Sequence, residues 1–243
     1  MPNVLTRPWK VDREGYEIEV YDPADVDWDD PNPSTGEYPL KPTATASSAK
    51  IVRMLGTATL DRSERQTFLV PKTETYRQYN PLLEQAALCM EFAHTRCSAV
   101  GVQKFVNKYG LLHGRKAISV DEVVADIRRM RAAIRSWEAG RTAGDVSRFV
   151  NEFNSTVRSI ITVELAHSVD PVHPQFKIVP LDLCEAMWLQ LAQIVSSKQG
   201  LKRCDWCPTW FLYGSGTGRR NSALYCSDRC RKAAHKHRGA SQK

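Results

Sequence analysis

Two cysteine pairs near the C-terminal end constrain this chain more than any other feature. Cys204-Asp205-Trp206-Cys207 is followed, after an eighteen-residue insert, by Cys226-Ser227-Asp228-Arg229-Cys230. Zinc takes four soft or borderline donors at tetrahedral corners, and two locally preformed thiolate pairs supply them once the chain brings the pairs together. The first pair has the spacing of a zinc knuckle. In the second, Ser227 suits a helix N-cap, which puts Cys226 just before the helix and Cys230 in its first turn, so both sulfurs can face one ion. Cys204, Cys207, Cys226 and Cys230 are therefore the predicted ligands of a structural zinc ion. Four thiolates leave no open coordination position, which argues against zinc-dependent hydrolysis. Thr209 to Tyr213 and Ala223 to Tyr225 are the apolar stretches expected to pair as a hairpin, with the segment from Gly214 to Gly218 as its turn. His237 would lie about 10 Å beyond Cys230 along a helix, and His235 would point off that face, so neither is counted as a ligand.

The charge is concentrated in the same segment. The chain carries a net +7, but residues 201–243 hold ten Lys/Arg against Asp205 and Asp228, a local +8 that leaves −1 for the rest. A neutral body with a strongly cationic tail points to nucleic acid more than a diffusely basic surface does. A helix starting at Ser227 would align Arg229, Lys232 and Lys236 on one side and Arg231, His235 and Arg238 on the next. With Arg219 and Arg220 in the preceding loop, these eight residues are the candidate nucleic-acid contacts, able to neutralise phosphates and release counterions.

The longest apolar stretch, around Leu181 to Val195, is interrupted by Glu185, Gln190 and Gln193 and falls short of the ~20 apolar residues of a membrane span. Met1-Pro2-Asn3-Val4 lacks the apolar run of a signal peptide, so a cytoplasmic protein is expected. In that reducing setting Cys89, Cys97 and Cys184 read as small buried hydrophobes rather than disulfide partners.

The remaining pattern predicts an α+β chain. Residues 1–75 read as an irregular, β-containing region, with strands at Tyr16 to Tyr21 and Thr67 to Val70 and an acidic loop from Asp22 to Asp30 between them. Asp25, Asp27 and Asp29 have calcium-loop spacing, but Asp30 occupies the place of the required Gly, leaving a solvated acidic loop. Residues 76–198 read as a mainly helical domain. Pro81 opens one helix that includes Leu82, Leu83, Ala86, Ala87, Met90 and Ala93, and Val100 to Tyr109 forms another with Gly110 as its C-cap. Ser119 and Glu122 form a capping box for a helix ending at Gly140. Gly144 to Ser159 continues in helix, Ile161 to Ala166 and Phe176 to Val179 form a hairpin across Ser168-Val169-Asp170-Pro171, and Leu181 to Ser196 closes the body as a helix. Residues 199–243 form the zinc module, whose core is too small to fold unaided, so metal binding supplies most of its folding free energy.

No metalloprotease helix, nucleophile elbow or phosphate loop occurs in the sequence, and a non-catalytic role is expected. The run Cys204-x-x-Cys207-x-x-Trp210-Phe211 with Tyr225-Cys226-Ser227-x-x-Cys230-Arg231 resembles treble-clef zinc fingers, including the small bacterial gyrase-inhibitor zinc proteins. With Ala233-Ala234-His235-Lys236-His237-Arg238 it is also similar to the C-terminal finger of bacterial stress-induced transcription regulators, the CGNR zinc-finger family. That resemblance covers residues 201–238 and implies a treble-clef-like finger after a helical, β-containing domain, with DNA as the partner. The alternative is a zinc-dependent adaptor whose finger docks another protein; Trp206 and Trp210, if exposed, could anchor such a partner or stack on a base.

Overall fold

The computed structural model describes residues 3–4, 9–29, 31–32, 34–73, 75–85, 87–114, 116–157, 162–166, 175–197, 199–207, 209–214 and 216–240. Its chain order is β1 (Asn3–Val4), β2 (Trp9–Asp12), β3 (Tyr16–Tyr21), α1 (Ala46–Leu55), β4 (Gln66–Pro71), β5 (Tyr76–Tyr79), α2 (Pro81–Glu84), α3 (Leu88–Ala93), α4 (Ala99–Tyr109), β6 (Ile118–Ser119), α5 (Val120–Ala143), α6 (Ser147–Val157), β7 (Thr162–Ala166), β8 (Gln175–Val179), α7 (Leu183–Ser196), β9 (Gln199–Arg203), β10 (Trp210–Gly214) and α8 (Asp228–Ala240). The fold is mixed α and β, with helices carrying most of the core.

Strand pairing joins segments that are remote in sequence. β3 pairs antiparallel with β4, which pairs antiparallel with β6. β2 pairs with β5, and β1 runs parallel beside β8, whose other edge pairs with β7. Val11, Tyr16 and Leu69 from the strands are buried in one cluster with Phe92, Val106, Ile127 and Leu191 from the helices. Residues on both sides of position 75 therefore share a core. A second, smaller cluster of Tyr21, Val26, Ile51, Leu60 and Phe68 lies under α1. The turn Ser168-Val169-Asp170-Pro171 assigned to the β7–β8 hairpin lies outside the described residues, as do Ile161 and Ala86.

Several boundaries differ from the sequence expectation for physical reasons. The helix opened by Pro81 breaks after Glu84 and resumes at Leu88. Gln190, buried on α7, takes up the freed backbone groups: its amide donates to Gln85 O at 2.6 Å and its carbonyl accepts from Cys89 N at 2.9 Å. Ser119 precedes α5 and pairs with Phe68, but its hydroxyl makes no cap bond. α5 also passes through Gly140 and ends at Gly144, which adopts the left-handed conformation with φ 76°. Gly144 suits that conformation because it has no Cβ to clash there. α7 begins after Asp182, whose carboxylate accepts from Glu185 N at 2.8 Å while Glu185 reaches back to Leu181 N. This reciprocal cap was not anticipated.

No helix among the described residues is long and apolar enough to cross a membrane.

Candidate metal centre

The cysteine module is built on a hairpin, but not on the one expected. β9 pairs antiparallel with β10, from Gln199↔Gly214 to Arg203↔Trp210, so the first cysteine pair sits at the hairpin tip. Ala223 to Tyr225 forms no strand with Thr209 to Tyr213; Gly214 instead bridges to Arg219. Gln199-Gly200-Leu201-Lys202-Arg203 carries no apolar alternation that would mark it as a strand. Gly200 is nonetheless required there: a Cβ at this position would lie 2.1 Å from Cζ of Tyr213, whose ring crosses the backbone. Trp210 packs against His94 with tilted rings whose centroids are 5.0 Å apart, and Leu201, Trp210 and Leu212 pack against the main core, seating the hairpin on the body.

Local hydrogen bonds then bring the two pairs together. Cys204 N donates to Thr209 O at 3.0 Å, closing the knuckle, and Asp205 N donates to Leu224 O at 3.0 Å, drawing in the segment before Cys226. Cys226 N donates to Cys204 Sγ at 3.3 Å. Ser227 Oγ accepts from Cys230 N at 3.3 Å, the cap position read from the sequence. The Arg219 guanidinium donates to Cys226 O at 2.6 Å and lies over the Phe211 ring.

The four sulfurs lie within 4.8 Å of one another. Cys207 and Cys226 approach to 3.5 Å, Cys226 and Cys230 to 3.5 Å, and Cys230 and Cys207 to 3.7 Å. A tetrahedral ion with metal–sulfur bonds of about 2.3 Å places its sulfurs ~3.8 Å apart. The arrangement can therefore hold a metal ion, and thiolates favour soft or borderline metals over magnesium or calcium. Electrostatics point the same way. The Thr209 side chain, helped by its backbone N–H, holds the Cys207 thiol down to about 6 against the effect of burial. Burial, followed by hydrogen bonding to Cys207 and Cys230, pushes Cys226 up to about 12. Four sulfurs this close cannot all carry charge unless a cation offsets it, and binding such a cation releases protons.

Comparison with family models, with curated proteins and with solved structures returns no match.

The candidate nucleic-acid contacts run along α8 and the loop before it. Arg220, Arg229, Arg231, Lys232, His235, Lys236 and Arg238 are exposed, and so is Arg219 despite its bond to Cys226. Arg231 pairs with Asp228 at 2.9 Å, and Arg238 donates to the Tyr225 hydroxyl at 2.7 Å, so part of this set also braces the finger. Arg219, Arg220, Ser222, Tyr225, Ser227 and Arg231 line an open cleft of about 570 Å³. His237 faces Trp206, ring centroids 5.8 Å apart, rather than the sulfurs. The acidic loop spends its charge locally: Asp22 pairs with Arg65 at 2.6 Å, and Asp25 accepts from Thr45 Oγ1 at 2.8 Å.

One polar cluster was missed by sequence reasoning. His113 Nε2 lies 2.8 Å from Asp126 Oδ2, and His113 Nδ1 lies 3.2 Å from Asp182 Oδ2. Arg129 holds the other oxygen of Asp126. Hydrogen bonds from Asp126 and then Asp182 push His113 up to about 9. Cys184 lies beside them and is buried, as expected for a small hydrophobe; Cys89 is buried too, but Cys97 is exposed, contrary to that reading. Cys97 lies in the irregular segment between α3 and α4, where no helix face turns it inward. The cluster joins residues 13 and 69 positions apart, and no spacing rule links them.

Proposed function

We propose that this chain is a zinc-finger nucleic-acid-binding protein, and specifically a DNA-binding transcription regulator whose finger is a treble-clef-like unit closed by zinc on Cys204, Cys207, Cys226 and Cys230. The observation that supports it is the juxtaposition of a closed four-sulfur site with a cationic helix, α8, whose first turn the site holds. The metal acts structurally: it fixes the knuckle against the helix N-terminus and so orients Arg229, Arg231, Lys232, Lys236 and Arg238 on one rigid element. In this reading Arg220 and Arg231 at the 570 Å³ cleft engage phosphates, and the remaining cations extend the contact along the backbone. Such contacts make affinity fall steeply with salt.

A fluorescence-anisotropy titration of the zinc-loaded chain with duplex DNA tests the reading. Micromolar or tighter binding that weakens with salt and is lost in Arg231→Glu/Lys232→Glu supports it, and no binding at low salt overturns it. One observation favours a second reading. Trp206 and Leu224 are 43 % and 51 % exposed on the finger, as an anchor for a protein partner requires. That adaptor reading requires a partner retained through nuclease treatment and moderate salt, and lost on Trp206→Ala with Leu224→Ala.

A further inference from the structure

We infer that His113, Asp126 and Cys184 form a second metal site, buried in the body and separate from the finger. One ligand atom from each lies within 4.8 Å of the others. Asp126 and Cys184 are 4 % and 3 % exposed, and the His113 side chain is 22 % exposed. Imidazole, carboxylate and thiolate together form a mixed N/O/S set that suits a zinc-class divalent ion and excludes magnesium and calcium, which take oxygen ligands.

The surroundings are organised as a metal site requires. A ligating histidine turns one ring nitrogen to the ion while the other is held by a carboxylate, which fixes the ring and raises its basicity. Here Nδ1 faces Asp182, and Nε2 is 2.8 Å from Asp126 in a hydrogen bond, so an ion bound by both displaces the shared proton and widens the pair to about 3.3 Å. Asp182 is itself immobilised as the N-cap of α7, through its bond from Glu185 N. Arg129 orients Asp126 through the oxygen that does not face His113. Three protein donors leave the fourth position of a tetrahedral ion to water. Asp182, the second carboxylate on His113, also lines a neighbouring cavity of about 350 Å³ with Leu111, Gly114 and Leu183. The ion would tie the segment after α4 and the first turns of α5 to the start of α7, joining elements that in the ion's absence meet there through hydrogen bonds.

This site does not depend on the nucleic-acid reading, and metal stoichiometry separates the two. The full-length chain is loaded with zinc, dialysed against metal-free buffer, and its zinc measured by mass spectrometry. Two equivalents are expected for the native chain, one for Cys184→Ala and one for Cys207→Ser/Cys230→Ser. A native value of one overturns the inference, and so does a second equivalent that persists in Cys184→Ala, which marks adventitious surface binding. Cobalt titration of the unmutated chain decides the matter if Cys184→Ala fails to fold. Two successive spectral steps are expected, the four-thiolate site giving the stronger sulfur-to-cobalt charge transfer. Saturation at one equivalent overturns the site.

Discussion

Ile127, Met130 and Leu69 are wholly buried in a cluster drawn from several helices and strands, whereas residues 199–240 bury only Cys204, Phe211 and Ala234 among their described hydrophobic side chains. The body is held by packing, whereas the finger has little buried apolar surface of its own. The difference teaches that one short chain can carry two kinds of cooperativity. Removing apolar volume weakens the body everywhere, while in the proposed reading the finger would depend on a few atoms that a single ion brings together.

Metal removal should break this comparison most sharply. Structural zinc contributes on the order of 10 kcal/mol to finger peptides, so chelation is expected to open α8 to trypsin at Arg229 to Arg238 while a fragment containing the body survives. Simultaneous digestion of both would mean that the body leans on the finger or on an ion at His113, Asp126 and Cys184. A smaller effect is expected from Ile127→Ala, which empties a fully buried site at a cost of about 4 kcal/mol; its melting temperature should fall for the whole body, followed by circular dichroism. Phe211→Ala removes the side chain under Arg219 and should cost about 3 kcal/mol, yet lower only the finger's stability, read as faster amide exchange in residues 199–240 with body melting unchanged.

The smallest expected effect lies at the start of α1. Hydrogen bonds from Ser48 first, then Thr45, hold the Asp25 carboxyl below its ordinary value. A carboxylate with a depressed folded-state value stabilises above its unfolded value, near 3.9, and that contribution is lost as pH falls through the folded one. Asp25→Asn should therefore flatten the acid limb of the melting-temperature profile without changing the value at neutral pH by more than Thr45→Ala does, about 1 kcal/mol for a lost cap. A profile unchanged in Asp25→Asn would show that Thr45 caps α1 without help from Asp25.

The same division explains what was legible in the sequence. The four cysteines and the Ser227 cap were readable because ligand spacing and capping are local rules, satisfied within a few residues of chain. The strands Tyr16–Tyr21 and Gln66–Pro71 were recognisable from alternation, but their pairing with each other and with Ile118–Ser119 depends on contacts across long sequence separations. Gln199–Arg203 was missed as a strand because what holds it is pairing with Trp210–Gly214, with the Tyr213 ring over Gly200, and a glycine in a strand reads as a weakness until its partner is known. Gly140 looked like a helix end. It is instead a close approach, with Asp145 O 2.6 Å from where a Cβ would stand, and Gly144 takes the terminating role. The His113 cluster was invisible for the same reason: its members come from the segment after α4, from α5 and from the start of α7, and only the fold brings them together.

Hydrogen exchange read by mass spectrometry tests the central claim most directly, comparing the zinc-loaded chain with Cys207→Ser/Cys230→Ser. The account predicts that amides of β9, β10 and α8 lose protection in the variant while those of β3, β4 and α4 keep theirs. Protection retained in α8 without the two sulfurs, or lost equally throughout the body, would contradict a finger ordered by its metal on an independently folded scaffold.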